Sequence, residues 1–156
     1  MEQALQDICL PGGKCFGCGS ANEDGLHIKS FWSDDGQFVI AQYQPDAKYS
    51  SGFKNALYGG TIASLIDCHS NWTAMAFGYR ADGRAPGTLP LIASVTGSLT
   101  VKYLKPTPMD GVLHLKAWVE GEVGRKTRVL CELGTGDVLT AVGDAIFVRI
   151  DPGLFE

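Results

Sequence analysis

One long helical pattern followed by four long β-type runs restricts the folds open to this chain more than any other feature. Between residues 61 and 79, Ile62, Leu65, Ile66, His69, Thr73, Ala76 and Phe77 recur at the spacing of one helix face. Gly59-Gly60 precede the run, and Gly78 with Gly83 punctuate its end. A helix over 61–79 is roughly 28 Å long at about 1.5 Å per residue. After a Gly- and Pro-rich loop at 80–90 the pattern turns to β: residues 92–104, 112–119, 127–133 and 138–150, each closed by Gly, Pro or Asp. The longest runs have thirteen residues, where an ordinary strand has about five or six. Hairpin-sized connections make the sheet mostly antiparallel. Ahead of the helix, residues 26–32 and 38–43 flank Ser33-Asp34-Asp35-Gly36 and read as a further hairpin, followed by a long loop over 44–60. The class is α+β: a curved, mostly antiparallel sheet wrapped around one long central helix.

A chain of 156 residues predicts one domain with a real core. Its expected limits are 25–151, with an irregular N-terminal arm over 1–24 (a short helix at 2–8) and a tail over 152–156. The 20 glycines show no period and read as turns and close backbone approaches. The formal net charge of −4 argues against a nucleic-acid partner, which needs a basic face. That charge is uneven, because Lys102, Lys105, Lys116, Arg125, Lys126 and Arg128 outnumber Asp110, Glu120 and Glu122 in one stretch. A small anionic ligand or a solvated strand face accounts for it equally well. An acidic N-terminus without an apolar stretch predicts a cytoplasmic chain, and no run approaches the ~18 apolar residues of a membrane span. Five cysteines, an odd number, then read as free thiols.

Two places on the helix invite chemistry. Asp67 lies about 140° from Ile62 around the helix, on a small polar face with Ala63, Ser70, Asn71 and Ala74. A carboxylate among small residues suits a ligand or a second subunit, and a solvated aspartate is the plainer alternative. The helix entry, Asn55-Ala-Leu-Tyr58-Gly59-Gly60, leaves N–H groups unpartnered at the positive end of the dipole. Such an end can hold phosphate or an oxyanion.

Tyr58-Gly59-Gly60-Thr-Ile-Ala-Ser-Leu-Ile-Asp67 resembles the helix entry of hotdog-fold acyl-CoA thioesterases of the PaaI-like group, within the 4-hydroxybenzoyl-CoA thioesterase superfamily. The segment from Thr96 through Tyr103 to Pro106, then Gly111 and Gly124-Arg125-Lys126, and the opening Cys15-Phe-Gly-Cys18-Gly, with Asn22 and Gly25-Leu26, are similar in the same order. The resemblance covers roughly residues 15–150. It implies hydrolysis of a CoA thioester to free acid and CoA, without a cofactor beyond the CoA of the substrate. Asp67 matches the catalytic carboxylate, a general base on water or a nucleophile on the thioester carbon. Gly59 and Gly60 match the backbone oxyanion donors, and Thr96 matches a hydroxyl that positions the water. Arg125 and Lys126 match a basic turn that meets CoA phosphates. The resemblance also implies a homodimer, or a dimer of dimers as a homotetramer, with Asp and Gly facing each other across the interface. Two positions depart from the family pattern: Tyr58 stands where a His is usual, and Asn55 is the nearest amide to an expected Asn or Gln. Both are candidate substrate-binding residues. A non-catalytic acyl-CoA sensor is the alternative reading.

Other constellations are weaker. Cys15-x-x-Cys18, with Cys9 nearby, is half of a zinc site that lacks a second pair and would have to borrow His27 or Cys131; no metal is expected. Asp67-Cys68-His69 suggests a triad, but adjacent helix positions point apart, so His69 reads as a buried, hydrogen-bonded residue. His27 and His114 fall in strands without evident partners. Trp32, Trp72 and Trp118 read as core or interface.

Overall fold

Three of the last four strands alternate buried and more exposed residues, and the computed structural model builds all four into one sheet. It describes residues 2–154; Met1, Phe155 and Glu156, at the ends of the expected arm and tail, lie outside the described residues. In chain order the elements are α1 (Leu5–Cys9), β1 (Phe31–Trp32), β2 (Val39–Tyr43), α2 (Gly59–Ala81), β3 (Ala93–Tyr103), β4 (Leu113–Val119), β5 (Lys126–Thr135) and β6 (Val138–Ile150). The six strands lie in the order β1-β2-β4-β5-β6-β3, and every neighbouring pair is antiparallel. The sheet curves around α2, as the α+β reading requires. No helix among the described residues is long and apolar enough to cross a membrane.

The core lies between α2 and the concave face of the sheet. Leu65, Ile66 and His69 of the helix and Leu115, Val129, Leu133 and Phe147 of the strands are almost fully buried. Helix and sheet come close at Gly143 of β6, where an added Cβ would strike Ile66. Because Ile66 is β-branched and buried, it cannot swing aside. Gly143→Ala is therefore expected to overpack the helix–sheet interface by about 1–3 kcal/mol. Thermal unfolding followed by circular dichroism should show a Tm lower by roughly 3–10 °C; an unchanged Tm would mean the helix can shift freely.

Among the boundaries that differ from expectation, including α1 at Leu5–Cys9 rather than 2–8, two have reasons in the hydrogen bonding. Residues 26–30 do not extend the first strand, because their hydrogen bonds go to the arm. The N–H groups of Leu26 and Ile28 donate to the carbonyls of Phe16 and Gly17, and Leu5 N–H donates to Ser30 O. His27 thus lies outside any strand, at φ 56°, its ring bonded to the Asn22 carbonyl. The second difference is at α2, which starts at Gly59, so that the two glycines form its first turn. Tyr58 is the N-cap, and its carbonyl accepts from Thr61 and Ile62.

Strand β3 is an edge strand that pairs only with β6. Its register slips between Thr96, opposite Phe147, and Ser98, opposite Ile146. Gly97 is the extra residue of a β-bulge. Before the bulge Ser94 and Thr96 face α2; after it Leu99, Val101 and Tyr103 do. In an unbroken strand the even and odd positions would point to opposite faces.

Candidate active site

The seam between α2 and β3 carries four side-chain hydrogen bonds. Thr96 Oγ1 donates to Asp67 Oδ1 at 2.7 Å. One helical turn further on, Asn71 Nδ2 donates to the Ser94 carbonyl at 2.9 Å, and Ser94 Oγ donates back to Asn71 Oδ1 at 2.5 Å. Near the helix start, Tyr103 Oη donates to the Gly59 carbonyl at 2.8 Å. Asp67 and Asn71 are four apart on the helix and so share a face, while Ser94 and Thr96 are two apart on the strand and share another. The Asn71–Ser94 clamp was missed by sequence reasoning, although those two spacings were visible. Ser70, by contrast, is turned to the sheet and 1% exposed, leaving the face assigned to it beside Asp67.

The helix N-terminus is open. The N–H groups of Gly59 and Gly60 find no acceptor among the described residues. The Tyr58 ring lies against Gly60, where a Cβ would collide with it, and Tyr58 remains 58% exposed. Asn55 is committed elsewhere: its Oδ1 accepts from Met109 N–H at 3.0 Å, which ties the loop before the helix to the β3–β4 connection. Asp67 is eight residues along the helix from Gly59, about 12 Å at 1.5 Å per residue. One chain therefore cannot present both groups to a single reacting carbonyl, whose partners must lie ~3 Å away.

Arg125 and Lys126 lie at the turn entering β5, both exposed. Lys126 stands opposite Val148, which stands opposite Val95, so it shares a cross-sheet row with the neighbour of Thr96, about 10 Å away across two strand spacings. Thr127 faces the core, so Lys126 points away from it. The basic surplus of this region is smaller than the sequence suggests. Arg128 makes a bidentate pair with Asp144 at 2.7 and 2.9 Å, and Lys116 pairs with Glu132 at 3.3 Å, both acids lying outside the stretch. The Asp144 carboxyl is held below its ordinary range by the Arg128 hydrogen bonds.

His69 belongs to the core, as read. Its Nε2 contacts the Val39 carbonyl at 3.0 Å, an acceptor only, so that nitrogen carries the proton. Its Nδ1 must then accept from Ser30 Oγ at 2.8 Å, and Ser30 Oγ accepts from Gln6 Nε2 at 3.0 Å. Burial pushes the imidazole pKa down to about 4. The group is satisfied, neutral and unavailable for a triad. Trp72 is buried, whereas the Trp32 ring packs tilted against Phe77 beneath Arg80.

The Cys15–Cys18 pair gains a third thiol, and it is neither His27 nor Cys131. Cys68 of α2 brings its sulfur to 3.7 Å from that of Cys15, and the three sulfurs lie within 4.8 Å of one another. Cys131 is buried in β5 with its thiol directed to the Glu132 carbonyl.

An antiparallel sheet curved around one helix, with a carboxylate on the helix facing a hydroxyl on the edge strand, defines a hotdog-type protein. The chain belongs to the thioesterase superfamily: it is 32% identical to a thioesterase superfamily protein of Shewanella loihica, with a TM-score of 0.64 over 84% of this chain and 97% of that one. It is also 25% identical over 134 residues to the acyl-coenzyme A thioesterase THEM4 of Bos taurus, a match spanning 83% of this chain and 49% of that protein. The chain thus spans about half the length of that relative. The E. coli PaaI protein of the phenylacetic acid degradation operon shares the fold at 17% identity, with a TM-score of 0.63 over 80% of each chain. No family model matches the sequence.

Proposed function

We propose that the protein hydrolyses acyl-CoA thioesters to free acid and CoA, with Asp67 as the reacting carboxylate. The observation that carries this reading is the 2.7 Å hydrogen bond from Thr96 to Asp67 Oδ1, set beside the Gly97 bulge. Bulges re-aim side chains and concentrate next to active sites. With Oδ1 accepting from Thr96, Oδ2 is left to take a proton from water or to attack the thioester carbon. Either route places negative charge on the thioester oxygen, and the open N–H groups at Gly59 and Gly60 are suited to receive it. Membership of the thioesterase superfamily and the acyl-CoA thioesterase similar over most of this chain support the same substrate class.

The roughly 12 Å between Asp67 and Gly59 supports a homodimer in which each site takes its carboxylate from one subunit and its amides from the other. Edge strand β3 has eleven residues and exposes Val95 and Tyr103; a long edge of this kind pairs or aggregates unless covered. Arg125 and Lys126 remain for the CoA phosphates, with no acidic partner among the described residues.

The test is hydrolysis of a panel of acyl-CoAs, short, long and aromatic, followed by free-thiol release, with mass measured in solution. Turnover of at least one member by a dimer or larger assembly is expected. Tight CoA binding without thiol release from any member would replace the enzyme with an acyl-CoA sensor. Turnover by a strict monomer would remove the two-subunit site.

A further inference from the structure

We propose that Cys15, Cys18 and Cys68 form a binding site for one zinc-like divalent ion, three thiolates closing on the metal and an exchangeable fourth position on the exposed side of Cys15. Geometry carries the argument. Thiolates at about 2.3 Å from a tetrahedral zinc lie ~3.8 Å from each other, and Cys15 and Cys68 stand 3.7 Å apart with Cys18 inside the same 4.8 Å cluster. All three are free thiols. Cys68 lies 53 residues from Cys15, so local chain spacing does not account for the third ligand.

A donor from the core supports the sulfur cluster. Trp72 Nε1–H donates to Cys18 Sγ at 3.2 Å from within the core. Outer donors of this kind orient and stabilise metal ligands. Two glycines make the turn fit. A Cβ at Gly17 would strike the Cys68 sulfur, and one at Gly19 would strike the backbone of Cys15. Gly19 N–H donates to the Cys15 carbonyl at 2.8 Å, closing the knuckle. A metal here pins the arm to the helical turn next to Asp67, closing a loop of about fifty residues. Binding displaces the thiol protons and leaves the three sulfurs as ligands with no change of oxidation state.

The full-length chain should be purified without chelator and its zinc content measured. One zinc per chain is expected, falling sharply in Cys15→Ser and Cys68→Ser and unchanged in Cys9→Ser and Cys131→Ser, whose sulfurs lie elsewhere. The reduced, zinc-free protein should bind cobalt(II) with thiolate-to-metal charge-transfer absorption and the intense visible bands of a four-coordinate site. Zinc at a thousandfold excess over Kd should raise its Tm by roughly 10 °C. Cys15 is exposed, so its variant keeps the fold and reads binding alone. Absence of zinc together with no cobalt spectrum at millimolar cobalt would overturn the site. So would a Cys15–Cys68 disulfide in freshly purified protein that carries no metal.

Discussion

Asp67→Asn is expected to lower kcat for acyl-CoA hydrolysis by about 10²–10⁴-fold, the range for removing a positioned general base. Asparagine keeps the oxygen that accepts the Thr96 hydroxyl, so Tm and quaternary state should hold while turnover collapses. The same loss follows whether Asp67 activates water or attacks the thioester carbon, because an amide does neither well. Thr96→Val tests the support: it removes the donor into Oδ1 and should cost kcat roughly tenfold, about one hydrogen bond to a charged group, with KM little changed. Thiol release under saturating substrate measures both. An Asp67→Asn protein with full turnover would remove Asp67 from the mechanism and leave its contact with Thr96 as a structural clasp.

The second large effect concerns stability. His69 is completely buried among uncharged partners, and its pKa is pushed from 6.5 down to about 4. Between those values the unfolded chain binds a proton that the folded chain refuses. Stability from this group is therefore complete above pH 6.5 and drains as pH falls toward 4, by about 3 kcal/mol in total. The carboxylates held low by partners, Asp7 beside Lys29 and Asp144 beside Arg128, act only below their unfolded value near 3.8, outside this window. Urea unfolding at a series of pH values from 7 to 4.5 should show the midpoint falling steadily. In His69→Gln the amide can still bridge Ser30 and Val39 but has no proton to gain. That variant should start less stable at pH 7 and lose little more on acidification; an undiminished slope would assign the effect to other groups.

Much of this architecture is legible in the residues. The bounds of β6 match the predicted run, and α2 runs two residues beyond the predicted 61–79 at each end. The first hairpin was overextended: alternation in 26–30 reflects packing under the arm, and periodicity cannot tell an arm from a strand as the hydrogen-bond partner. Asp67 was visible from the helical wheel. Thr96 was visible only through its resemblance to a family position, since its separation of seven from Tyr103 puts the two on opposite faces of a regular strand. The Gly97 bulge reconciles them, and a lone glycine in a strand does not announce whether it is a bulge or a close contact. Cys68 was unreadable as a partner of Cys15 for a simpler reason: the two meet only once the arm is folded back over α2.

Strand order also has a consequence for timing. Thr96 reaches its place opposite Asp67 only when β3 is held by β6, whose Phe147 pairs with Thr96 and leaves the ribosome about fifty residues later. β3 has no other strand to lean on. During synthesis the carboxylate-bearing helix can therefore form early, while its hydroxyl partner waits on an unattached ribbon. Long-range pairing of this kind is slow to close and leaves apolar edges bare meanwhile. The contact between Thr96 and Asp67 is thus among the last of those described to be assembled.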